Sequence, residues 1–312
     1  MPAVVRTVDG DMAPSDLGAT YCHEHLITDP APRLVGPDRD LVLDDEDRAL
    51  QELRTFREAG GGCLVEVSTP EFGRDLDALQ RLSRASGVKI VAATGHVSED
   101  YWRGVIPLED VAPVELEAEF IRDVAVGTER HVRAGVIKVG SSLDEVTEFE
   151  ERIFRAAARA QSQLGVPITT HTTAGTAALE QVAILRDAGV DLAKVCIGHL
   201  DRKLDWDYHC AIADSGVYLG FDCMSKEQYQ PEALRIEFIR RLIDRGVGDR
   251  ILLSGDFARR SYLEAWGGGP GYRYILESVT QLLLSGGVSE DAVRDLLMAN
   301  PQRFLAFEQP QA

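Results

Sequence analysis

The run ATYCHEH, residues 19–25, reads as a strand that ends in chemistry. It puts His23 and His25 two residues apart, and on an extended chain residues i and i+2 point to the same face. Seven further runs of similar character recur down the chain: GCLVEVST (62–69), KIVAATGH (89–96), GVIKVGSS (135–142), PITTHTT (167–173), KVCIGHLD (194–201), VYLGFDC (217–223) and ILLSGDF (251–257). Between them lie stretches with apolar residues at helical spacing, each closing on glycine: DEDRALQELRTFREAG (45–60), EFEERIFRAAARAQSQLG (148–165), AALEQVAILRDAG (177–189) and PEALRIEFIRRLIDRG (231–246). Eight largely apolar strands alternating with helices are the α/β pattern of a (β/α)8 TIM barrel, with an open doubly wound sheet as the competing architecture. No linker or composition break divides the chain, which predicts a single barrel domain over residues 1–312.

A TIM barrel builds its active site at the C-terminal ends of its strands. The first run ends in His23 and His25. The fourth carries Lys138, the fifth His171, the sixth His199 and the eighth Asp256. One histidine at a strand end is commonly structural, but six such residues on one rim form a ligand set. Imidazole and carboxylate suit zinc, manganese, cobalt or iron. Two cations roughly 3.5–4 Å apart need bridging anions. A lysine ammonium cannot bridge them, but a lysine carboxylated by CO2 can. The other chemical use of Lys138 is as a Schiff-base nucleophile of an aldolase, and the remaining alternative is a barrel that binds without catalysis.

Of the 312 residues, 51 are acidic and 33 basic, for a net charge of −18, which argues against nucleic acid or an anionic membrane as partner. No apolar stretch reaches the length of a membrane span. The five cysteines are odd in number and lack a CxxC pair, as for free thiols in a reducing cytoplasm. The start MPAVVRTVDGDMAP has no charged-then-apolar leader, so a cytoplasmic protein is expected.

With HxH on the first strand, lysine on the fourth, histidines on the fifth and sixth and aspartate on the eighth, the chain resembles the amidohydrolase superfamily. GATYCHEHL, GVIKVG, THT, IGHLDR and SGDF resemble, more narrowly, the phosphotriesterase family and its lactonases, from about residue 18 to NPQRFLAF at 300–307. The resemblance implies two divalent ions, zinc first, bridged by carboxylated Lys138. His23, His25, Lys138 and Asp256 would hold the more buried ion, and Lys138, His171 and His199 the more exposed one. It implies a hydrolase in which hydroxide between the ions attacks and Asp256 acts as the catalytic proton carrier. Asp201, two residues after His199, could orient that histidine or relay a proton, or equally form a salt bridge with Arg202 or Lys203.

The loops decide the substrate. FARRSYLEAWGGGPGYRY (257–274) brings Arg259 and Tyr262 beyond Asp256, and MSKEQYQ (224–230) brings Lys226. Gathered in an acidic protein, these groups suit phosphate or carboxylate. Lys226, Arg259 and Tyr262 resemble a branch that acts on phosphorylated sugar lactones, with His96 and Tyr101 expected in the pocket wall. Acyl-homoserine lactones and organophosphate triesters are the alternatives, but both are uncharged and want apolar pockets, to which this cationic loop is a poor match. The resemblance also implies a homodimer.

Overall fold

The computed structural model describes residues 2–37 and 39–308. The chain opens with an antiparallel hairpin, β1 (Val5–Thr7) and β2 (Gly10–Met12). Eight strands follow: β3 (Ala19–Glu24), β4 (Gly61–Glu66), β5 (Lys89–Gly95), β6 (Val136–Ser141), β7 (Ile168–Thr172), β8 (Val195–Ile197), β9 (Tyr218–Phe221) and β10 (Ile251–Leu253). They pair in chain order, each parallel to its neighbour. These are the eight runs of the sequence, wound as a nearly closed (β/α)8 barrel. The helices between them are α1 (Glu46–Glu58), α2 (Leu76–Ser86), α3 (Glu99–Trp102), α4 (Pro113–Ala125), α5 (Glu148–Leu164), α6 (Ala178–Asp187), α7 (Trp206–Asp214) and α8 (Glu232–Asp244).

Local chemistry starts and stops these helices where the sequence implies. The Asp45 carboxylate accepts from the N–H groups of Asp47 and Arg48 and begins α1. Thr147 and Glu150 form a reciprocal cap at the start of α5, and Gly165 ends it at φ 72°.

The strands are apolar almost throughout because both faces are covered. Cys63, Val65, Val67, Val91 and Ala93 fill the barrel interior, while Leu64, Ile90 and Ala92 between them pack outward against the helices. Val5, Leu17, Phe304 and Leu305 join the interior set, so the first hairpin and the last helix plug the N-terminal end. Chemistry is left to the other end.

The seam between β3 and β10 carries few main-chain bonds. Asp256 N donates to His23 O at 3.1 Å. Ser254 Oγ accepts from His23 N at 3.0 Å and lies 2.8 Å from both His23 O and Glu24 Oε1. Side chains therefore help close the barrel at the point where the strands leading to His23 and Asp256 meet.

Candidate active site

All six strand-end residues meet in one cavity, which His23, His25, Lys138, His171, His199 and Asp256 line together. Register slips between Tyr21 and Glu24 in the β3–β4 pairing. Cys22 packs with the barrel interior while the next residue, His23, also reaches the mouth. Glu24 turns to the opposite face, fully buried. Its carboxylate accepts from Gly255 N at 2.7 Å and Phe257 N at 2.9 Å, gripping the residues on either side of Asp256. Asp256 sits at φ 48° and His199 at φ 58°. Such left-handed conformations cost a non-glycine residue about 1 kcal/mol and persist only where neighbours enforce them. Glu24 enforces one. Asp222 enforces the other, accepting from His199 N at 2.8 Å.

The donor atoms lie close enough to share ions. His25 Nε2 is 3.3 Å and His23 Nε2 3.8 Å from Asp256 Oδ1. Lys138 Nζ is 3.0 Å from His23 Nε2. The His199 ring centroid is 4.6 Å from those of both His23 and His171. The far side of each ring faces a polar neighbour. His25 Nδ1 meets Ser68 Oγ at 2.8 Å, and Ser68 in turn bonds buried Glu66. His199 Nδ1 meets Asp222 Oδ1 at 2.7 Å, and His23 Nδ1 lies 3.0 Å from Asp222 Oδ2. His171 Nε2 faces Thr173 Oγ1 at 3.3 Å.

Burial and mutual repulsion set the protonation states that ligands need. Burial, aided by the Lys138 charge, draws His23 down to about 3. Burial and His199 hold His171 well below its usual range. For Asp256, burial pushes upward, but the charge of Lys226 and the bond to His25 prevail and hold it well below the usual carboxylate range. Burial lowers Lys138 to about 8, so a neutral amine is accessible near physiological pH.

Asp222 was not singled out in the sequence. It is 2% exposed and spans His23 and His199, two of the candidate ligands. Its signal was present, since VYLGFDC ends a strand in aspartate as ILLSGDF does. The role expected of Asp201 belongs to Asp222. Asp201 is fully buried but pairs with Arg235 Nε at 3.1 Å and accepts from Cys223 N at 3.0 Å. The expectation for His96 is also corrected, because it does not line the cavity. It lies buried between Glu71 at 3.2 Å and Glu119 at 3.4 Å, while its neighbour Val97 faces the pocket.

Lys226, Arg259, Tyr262 and Tyr101 line the same cavity as the histidines, joined by Arg202 and Tyr229. Lys226 Nζ is 2.5 Å from Asp256 Oδ2 and 5.1 Å from the Tyr262 ring centre. Of the adjacent arginines, Arg259 faces the cavity. Arg260 turns away to Val42 O at 2.6 Å and Asp44 at 2.8 Å.

The Phosphotriesterase family model matches residues 3–305. The chain belongs to that family. A phospho-furanose lactonase from Mycoplasmopsis synoviae is 32% identical over 97% of this chain and 92% of its own. An N-acetyltaurine hydrolase from Homo sapiens is 32% identical over 97% of this chain and 98% of its own. A crystal structure of a lactonase from Listeria monocytogenes superposes with a TM-score of 0.93 at 33% identity, covering 98% of this chain and all of that one.

This is a family of metal-dependent hydrolases acting on small molecules, and the residues here fit divalent ions. His23, His25 and Asp256 form a group whose ligand atoms lie within 4.8 Å of one another. Their spacings of 3.3 and 3.8 Å suit donors each about 2.0–2.2 Å from a common ion. The rings backed by Ser68 and Asp222 present their other nitrogens as ligands normally are presented. Among the described residues no helix is long and apolar enough to cross a membrane.

Proposed function

We propose that this enzyme opens a lactone ring by hydrolysis and that its substrate is a phosphorylated sugar (aldono-) lactone. The observation that carries the reading is a cationic wall in an acidic protein. Lys226, Arg259 and Tyr262 share one cavity with the candidate ligands although the chain carries a net charge of −18. The phospho-furanose lactonase relative and the lactonase structure support it.

In this reading His23, His25, Lys138 and Asp256 hold one divalent ion, and Lys138, His171 and His199 a second. Lys138 is carboxylated, and zinc is the expected metal, with manganese, cobalt or iron as alternatives. Bound ions supply a Lewis acid for the carbonyl and an acidified water. Asp256, ionised and aimed into the cavity, takes the proton of the attacking water and passes it to the leaving ring oxygen. Lys226, Arg259 and Tyr262 hold the phosphate, and Tyr101 closes the wall beside His171, ring centroids 5.9 Å apart. The reading also takes the enzyme as a cytoplasmic homodimer.

The N-acetyltaurine hydrolase relative favours a second reading, hydrolysis of an amide that bears an anionic tail. A pH-indicator assay on metal-loaded enzyme separates the two. Its substrates are a phosphorylated aldonolactone, its unphosphorylated parent, an acyl-homoserine lactone and, by amine release, N-acetyltaurine. Efficient turnover of the phosphorylated lactone alone is expected. Equal or better turnover of the neutral lactones would sink the phosphate assignment, and turnover of the amide alone would replace the reaction.

A further inference from the structure

We propose that Thr69 reads the sugar ring of the substrate. Its hydroxyl bonds the alcohol on the carbon next to the lactone carbonyl and so selects 2-hydroxy over 2-deoxy substrates. The inference rests on the lactonase reading and deepens it.

Thr69 ends the run GCLVEVST, just beyond β4, and lines the same cavity as the histidines. It is 1% exposed, and its hydroxyl oxygen has no hydrogen-bond partner among the described residues. Its position makes that unusual. Thr69 precedes the helical turn Pro70–Phe72, where a threonine ordinarily bonds its hydroxyl to an N–H of the first turn. Here the side chain makes no such bond, and the main-chain carbonyl serves the turn instead, accepting from Phe72 N at 2.9 Å. The side chains of Val67, Phe72 and Val97, which line the cavity with it, offer no polar atom. A buried hydroxyl left unpaired costs free energy, and a bound ligand that pairs it recovers that cost.

The hydroxyl belongs to the carbonyl end of the substrate. Ser68, the preceding residue, meets His25 Nδ1 at 2.8 Å, and β4 lies beside β3, the strand that leads to His23 and His25. Lys226 and Arg259 follow β9 and β10, on the other side of β3. A lactone whose carbonyl is held at the histidines and whose phosphate meets those cations therefore turns the carbon next to its carbonyl toward Thr69. In an aldonolactone that carbon bears an alcohol. A threonine hydroxyl both donates and accepts, as an alcohol does, so the two are complementary.

The test uses metal-loaded enzyme, wild type, Thr69→Val and Thr69→Ser, on a phosphorylated aldonolactone and its 2-deoxy counterpart. Valine keeps the shape and removes the hydroxyl. Wild type should favour the 2-hydroxy lactone by about 10-fold in kcat/KM, the effect of one neutral hydrogen bond. Thr69→Val should lose that preference, falling about 10-fold on the 2-hydroxy lactone and staying within about two-fold on the 2-deoxy lactone. Thr69→Ser should keep it. Melting curves add a readout that does not depend on turnover. An unpaired hydroxyl predicts that Thr69→Val melts no lower than wild type, and a clear drop would show that the protein already satisfies the hydroxyl, which overturns the proposal. A preference that survives in Thr69→Val, or equal losses on both lactones, overturns it as well.

A binding measurement separates this from failure of the lactonase reading. Calorimetry with ribose 5-phosphate against 2-deoxyribose 5-phosphate needs no turnover. A preference for the former that Thr69→Val abolishes supports the contact even if the lactones are not hydrolysed. No preference in wild type, or one that the variant retains, overturns it.

Discussion

Replacing Asp222 by asparagine tests whether this carboxylate governs metal binding from behind the histidines. The side chain keeps its size in a place with no slack, where a methyl on Gly198 or Gly220 would come within 3.0 Å of Asp222 Oδ2. In wild type, Oδ1 serves His199 N at 2.8 Å and His199 Nδ1 at 2.7 Å, while Oδ2 faces His23 Nδ1 at 3.0 Å. Asparagine can keep the His199 pair with its oxygen. Its NH2 then faces His23 Nδ1, whose proton must stay there if Nε2 is to bind an ion. Two donors would meet, so His23 loses either its support or its ligand tautomer. The lost charge-assisted contact is worth about 1.5–3 kcal/mol, or about 10–100-fold in ion affinity. In the proposed two-ion arrangement, the loss should fall on the ion assigned to His23 and spare the one assigned to His171 and His199. Competition with a chromogenic chelator, titrated stepwise on wild type and Asp222→Asn, reads both affinities. Two unchanged affinities in a folded variant would refute the reasoning, and equal loss at both would show that His199 depends on the charge of Asp222 as much as His23 does.

Arg235 pairs with Asp201, and neither side chain is exposed, so Arg235→Met strands a buried carboxylate. Urea unfolding should show about 3–5 kcal/mol of destabilisation, with part of it restored by adding Asp201→Asn, whereas a loss under 1 kcal/mol would deny that the pair matters. For His96, burial lowers the basicity of the ring, but bonds to Glu119 and Glu71 prevail and raise it to about 9 from 6.5. A histidine whose folded value is raised stabilises the protein fully below pH 6.5 and loses that stabilisation as pH rises through 9, here about 3 kcal/mol from the 2.5-unit difference. The gap in melting temperature between wild type and His96→Gln should therefore be widest near pH 6 and close by about pH 9.5, and a gap independent of pH would exclude the linkage.

The eight strands were legible because a barrel buries both faces of its sheet, so each strand is a short apolar run bounded by turns and helices. The six-residue cluster was legible because the fold gathers strand ends, which lets residues spread from 23 to 256 be read as one rim. The hairpin at Val5–Met12 carried no such signal, since its strands are three residues long and the residue before it, Val4, bridges Phe307 at the other end of the chain.

Spacing and residue type thus determined the barrel, the six-residue cluster and the cations beside it. What lies behind that cluster was settled only in three dimensions. HLDR and FDC each offer an aspartate close to a strand end, and sequence distance favours Asp201 as the support for His199. A left-handed turn at His199 instead carries Asp201 to Arg235 and leaves Asp222, on the neighbouring strand, to hold both His199 and His23. His96 likewise looks like a rim histidine in KIVAATGH, yet it packs against Glu71 and Glu119. Partners of this kind come from strands and loops distant in sequence, and a buried charge is satisfied by whichever opposite charge the packing brings to it, a choice that local sequence does not encode.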